Sequence, residues 1–88
     1  MAEKKKCDIY RVEAVEAFRL GMESRGNDSL MRLMDCLEPL LAKNSAALGK
    51  NEEELLNLVV AAQQRGDYIF VADLLEYMLP NSALGAYA

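Results

Sequence analysis

The chain has 88 residues, 52% of them hydrophobic and 27% charged, with a formal net charge of -4. That length sets one domain, and a chain this short buries only about 60–65% of its unfolded surface, so its core is marginal without support. Histidine is absent and there are two cysteines, which excludes a zinc site built by the chain alone and phosphotransfer on His; the acidic balance argues against a general nucleic-acid binder.

Met1-Ala2-Glu3-Lys4-Lys5-Lys6 is basic, and no apolar run follows it. It reads as a solvated flexible tail over residues 1–7, not a secretory signal. No stretch reaches the roughly 18 apolar residues of a membrane span. Cys7 and Cys36 form no CxxC pair. With no export signal, they point to the cytoplasm, with both thiols reduced.

Asp8 is placed to cap a first helix over 9–25. One face of it collects Tyr10, Ala14, Val15, Ala17, Phe18, Gly21 and Met22, and the other Glu13, Glu16, Arg19 and Glu23. Arg11 lies near the apolar face and must snorkel past it. Gly26-Asn27-Asp28-Ser29 then reads as a helix end and a new N-cap. The second helix, 28–43, divides cleanly: Leu30, Leu33, Met34, Cys36, Leu37, Leu40 and Leu41 share one side. Met31, Arg32, Asp35, Glu38, Pro39, Ala42 and Lys43 share the other. Pro39 bends this helix rather than ending it. The end falls at Lys43, or at Leu48 with Gly49 as the closing residue. Cys36, on the core face, reads as a small hydrophobe.

Asn51-Glu52-Glu53-Glu54 opens a third helix, 52–65, with the acidic first turn that the helix dipole favours. Leu55, Leu58, Val59 and Ala62 form its core stripe, with Leu56 at the edge. Gly66-Asp67 closes it and caps a fourth helix, 67–79, stopped by Pro80. Residues 81–88 have no period and read as a frayed tail. The expected fold is all-α: an up-down-up-down four-helix bundle that self-associates, with Leu33, Leu37, Leu55, Val59, Val71 and Leu75 in its core.

The fourth helix is apolar nearly all round, with Asp73 and Glu76 as its one wet strip. Tyr68, Val71, Leu75 and Met78 make one seam, and Phe70, Leu74 and Tyr77 a second. A lone bundle needs one stripe, so the second is expected to bind a helix, from another copy of the chain or another protein. Phe70, Leu74 and Tyr77 are therefore the candidate protein-binding residues. The expected function is a non-enzymatic interaction module, with no cofactor and no nucleic-acid or membrane partner.

Three resemblances bear on function. Asp28-Ser29-Leu30, in a short, acidic, helical chain, resembles the site of acyl carrier proteins, which implies a helix-opening Ser29 carrying phosphopantetheine. That family has a long loop before this serine, whereas here the first helix abuts it, and an ordinary N-cap explains the same residues. Glu52, Glu53 and Glu54 with Asp73 and Glu76 resemble the Mg²⁺-binding carboxylates of all-α nucleotide pyrophosphatases. The EExxE spacing meets Asn57 or Leu56 instead of a carboxylate, and Asp73-x-x-Glu76 reverses the second motif. The segment Asp67-Tyr68-x-x-x-Ala72-Asp73-Leu74-Leu75-Glu76-Tyr77-x-Leu79-Pro80 resembles one in small bacterial helical-bundle proteins associated with motility and flagellar export, which implies an adaptor or chaperone. Arg65-Gly66-Asp67 spells an integrin-type tripeptide, but it falls on a helix link.

Overall fold

The structure, a computed structural model, describes residues 2–43 and 50–82. Helix α1 spans Ala2–Arg19, α2 Glu23–Lys43, α3 Lys50–Gln64 and α4 Tyr68–Asp73, and α4 runs on into a π-helical turn, Leu74–Met78. The fold is all-α, and there is no strand among the described residues. The end of α2 relative to Leu48, and the tail beyond Ser82, lie outside the described residues.

The α1–α2 and α3–α4 links are built alike. Gly21 (φ 76°) and Gly66 (φ 77°) are both left-handed. Gly21 N–H donates to Phe18 O at 3.2 Å and Met22 N–H to Ala17 O at 2.8 Å; Gly66 N–H donates to Gln63 O at 3.1 Å and Asp67 N–H to Ala62 O at 2.9 Å. These paired bonds satisfy the last carbonyls of α1 and α3, the Schellman arrangement that glycine permits without strain. Asp67 then accepts from Phe70 N–H at 3.4 Å and caps α4. Gly66 and Asp67 thus act as expected.

Gly26 does not. It lies inside α2, three residues after the helix starts. Gly21, not Gly26, ends α1, so the expected boundary near residue 25 moves back, and Asn27, Asp28 and Ser29 are mid-helix rather than caps. Gly26 is there for space. A Cβ on it would sit 2.5 Å from Phe18 Cδ1 and Cε1. The Phe18 ring occupies that place and stacks on Tyr68, with centroids 5.0 Å apart and planes 8° from parallel. Asp8 likewise caps nothing: α1 already runs from Ala2, through most of the expected tail, and Asp8 instead pairs with Arg11 at 2.7 Å.

The two faces of α2 are as expected. Leu30, Leu33 and Leu37 are buried, Met34, Cys36, Leu40 and Leu41 pack partly against the core, and the opposite residues from Met31 to Lys43 are exposed. The helix continues past Pro39; the carbonyl that Pro39 cannot serve belongs to exposed Asp35. All six expected core residues are buried. In α3 the expected stripe residues Leu55, Val59 and Ala62 are buried, while the edge residue Leu56 is buried in place of Leu58, which is exposed. Helix α1 packs against α2 and α4, and α3 against α4 and the π-helical turn.

Two corrections concern the thiols. Cys7 and Cys36 are bonded to each other, with Cα atoms 5.7 Å apart. They are neither reduced nor separate, and Cys36 is a crosslink as well as a group packed against the core. The bond joins the early part of α1 to the late part of α2, so these helices run antiparallel. It supplies support that a core of this size needs.

Candidate functional site

The C-terminal helix departs from regular α geometry at Leu74. Leu79 N–H donates to Leu74 O at 2.9 Å, an i→i+5 bond that inserts one residue into the turn. The face therefore slips by one position after Leu75. Leu79 is buried and Met78 exposed, where an unbroken helix in line with Val71 and Leu75 buries Met78.

The same bond strands a carbonyl. In a regular helix Leu75 O accepts from residue 79, but that N–H is committed to Leu74; the next donor, at residue 80, is a proline with no N–H. Arg11 fills the vacancy: its Nη1 donates to Leu75 O at 3.1 Å, while its Nε holds Asp8 Oδ1 at 2.8 Å. The expected snorkelling of Arg11 thus has a definite end point. Asn81 and Ser82 serve the next carbonyls, with Asn81 Nδ2 donating to Tyr77 O at 2.6 Å and Ser82 Oγ to Leu79 O at 2.7 Å. A π-turn met by this many side-chain donors marks a place where one local geometry is over-determined.

A second arginine crosses from α1 to the wet strip. Arg19 Nη2 donates to Asp73 Oδ1 at 2.9 Å and to Glu76 Oε1 at 2.7 Å, and its Nε to Glu76 Oε1 at 3.0 Å. Asp73 foremost, then Glu76, raises the guanidinium above its ordinary range, so it is cationic throughout. Asp73 and Glu76 are therefore engaged with Arg19, which is not the open metal-binding pair that the pyrophosphatase likeness implies. No group of three metal-ligating side chains comes together among the described residues.

The three expected binding residues do not share one surface. Leu74 is 2% exposed, inside the chain's own core; Phe70 is half-buried and packed against that core; Tyr77 is 58% exposed. The proposed second seam is corrected on this point: Leu74 and Phe70 belong mainly to the fold. The outer row is Ile69, half-buried Asp73 and Tyr77, at i, i+4 and i+8, with Ile69 59% exposed and Met78 exposed beside Tyr77. The apolar pattern assigns Ile69 to neither seam. Its signal in the sequence is that very position, a large β-branched residue left over after both stripes are drawn.

Ser29 is 8% exposed in the interior of α2. It opens no helix, so the arrangement implied by the carrier-protein likeness is absent, and Ser29 does not act as a capping residue. Another group escaped sequence reasoning. Gln63 Nε2 donates to Asn27 Oδ1 at 3.2 Å, and Asn27 Nδ2 reaches Tyr68 Oη at 3.5 Å, which links α3, α2 and α4. The sequence reads Asn27 as part of an N-cap, and polar residues facing inward from three helices leave no periodic trace. No helix among the described residues is long and apolar enough to cross a membrane. In comparison with known proteins, no family model matches the chain, and neither the curated proteins nor the solved structures contain a significant match.

Proposed function

We propose that the chain is a non-enzymatic protein–protein interaction module that works through the outer face of its C-terminal helix. The observation that carries this reading is the exposed row of Ile69 and Tyr77, with Met78 alongside, flanking the Arg19–Asp73–Glu76 cluster. An aromatic anchor beside aliphatic groups, with oriented charges between them, has the make-up of a small interface: apolar contacts for affinity and ion pairs for register. A second copy of the chain, or a helical segment of another protein, is the occupant such a face takes. The resemblance of the C-terminal third to small bacterial helical-bundle proteins favours an adaptor or chaperone role.

The cytoplasmic setting has lost one premise, the two reduced thiols. An oxidising compartment accommodates the closed Cys7–Cys36 bond, and a reducing cytoplasm favours the open one. Sedimentation of the oxidised chain, alone and with captured partners, tests the function. The exposed double variant Ile69→Asp/Tyr77→Asp is expected to stay folded and to lose association. A wild type that is monomeric and captures no partner, or a double variant that associates as before, rejects the reading.

A further inference from the structure

The two halves of the disulfide are not equally accessible. Cys7, on α1, is 2% exposed. Cys36 is half-buried and forms part of the wall of a shallow cavity of about 290 Å³, lined also by Tyr10, Arg32 and Asp35. Thiol–disulfide exchange requires a thiolate to reach one particular sulfur, and access decides which. The cavity is large enough for a small thiol, and of the two cysteines Cys36 is the one in its wall.

We propose that Cys7–Cys36 is a reversible thiolation site, entered at Cys36 by a small zwitterionic thiol of the glutathione type. The incoming thiolate forms a bond to Cys36 Sγ as the Cys7–Cys36 bond breaks. The electron pair of the broken bond leaves on Cys7 Sγ, which takes a proton from water. The product is a mixed disulfide at Cys36 and a free thiol at Cys7. Reversal is the same step backwards: Cys7 loses its proton, attacks Cys36 Sγ and expels the small thiol. No other oxidant or reductant is needed. The cavity walls suit such a visitor. Arg32, itself 3.3 Å from Asp28, offers a cation for a carboxylate, and Asp35 offers an anion for an ammonium group. Tyr10, one turn beyond Cys7, supplies an apolar wall with a polar tip. Buried Cys7 stays where it can re-form the bond.

The test uses the oxidised full chain, reduced glutathione, an acid quench, alkylation of free thiols and peptide mapping. The expected product carries glutathione on Cys36 and the alkyl group on Cys7. Its rate should rise with glutathione concentration and stay flat in low urea. Glutathione found on Cys7, no exchange at all, or a rate that climbs steeply with low urea (exchange only through unfolding) overturns the proposal. Single-cysteine variants give a second measure. Cys36 in Cys7→Ser should react with oxidised glutathione at least about tenfold faster than Cys7 in Cys36→Ser. Equal rates in folded variants overturn it as well.

Discussion

Helix α1 is held on two sides by different means. Against α2 it is held by shape and a covalent bond: Phe18 fills the space over Gly26, and Cys7 is tied to Cys36. Against the C-terminal helix the Phe18–Tyr68 stack is joined at the rim by two guanidinium groups, Arg11 on the Leu75 carbonyl and Arg19 on Asp73 and Glu76. Contacts fixed by shape tolerate almost no change in volume. Contacts made by long cationic side chains tolerate rearrangement and respond to salt. The α1–α2 contact is therefore the rigid frame, and the guanidinium rim of the α1–α4 contact is the adjustable edge, on the same side as the candidate interaction face.

Among changes that leave the chain folded, opening the covalent tie should have the largest effect. A crosslink spanning 29 residues removes unfolded-state freedom equivalent to about 3–4 kcal/mol. Urea unfolding of the oxidised chain and of the Cys7→Ala/Cys36→Ala chain should differ by that amount. A difference under about 1 kcal/mol would show that the frame stands on packing alone. The next effect comes from the close approach. Gly26→Ala adds one methyl group where the Phe18 ring lies, and that ring is itself pinned by Tyr68. Overpacking of this kind costs about 1–3 kcal/mol, and the better helix propensity of alanine returns up to about 1 kcal/mol. A net loss is expected; a gain would mean that Phe18 has room to turn aside.

These two features are also where sequence reasoning was weakest, for a common reason. A glycine does not announce its φ. Gly21 and Gly26 are five residues apart, and the polar run Asn27-Asp28-Ser29 pulled the boundary to the wrong one. Had α1 been started before Asp8, Cys7 would have joined Tyr10, Ala14 and Ala17 in one seam, facing a helix that carries Cys36 on its own apolar side. By contrast α2 was legible face by face, because seven apolar residues repeat at helical spacing over its length and tertiary packing had nothing to override. Gly66-Asp67 was legible because closure and cap are adjacent. The π-turn was not legible, since one inserted residue changes no composition; it appears only as Leu79 in the place of Met78. That slip, with the burial of Leu74, is why the candidate surface contains Ile69 and Tyr77 rather than the full expected seam. Leu74→Asp, which would otherwise read as an interface probe, puts an uncompensated charge in the core and should unfold the chain.

On the adjustable side, Arg11→Met should cost about 1–2 kcal/mol. The methionine retains the apolar stem but leaves the Leu75 carbonyl without its donor. The loss should be local. Hydrogen exchange at Leu79 N–H should accelerate more than exchange at core positions of α2, because a π-turn with an unmet carbonyl can relax towards regular helix. Equal acceleration at both places would mean that Arg11 matters through packing and not through that bond.

The smallest effect should come from Arg19→Gln. Arg19 is exposed, and its carboxylate partners are about as accessible, so water and salt already compete for the contact. The thermal midpoint should barely move, and the weak dependence of that midpoint on sodium chloride should become weaker still. The expected consequence lies in association. Without Arg19, Asp73 and Glu76 face the partner as two uncompensated carboxylates between Ile69 and Tyr77. A self-complementary contact across a two-fold axis would then bring four like charges together. Association should fall at low ionic strength and recover partly as salt rises, while folding stays intact. If the variant associates as tightly as the wild type at low salt, the charge cluster lies outside the contact, and the binding face must be redrawn around the apolar residues alone.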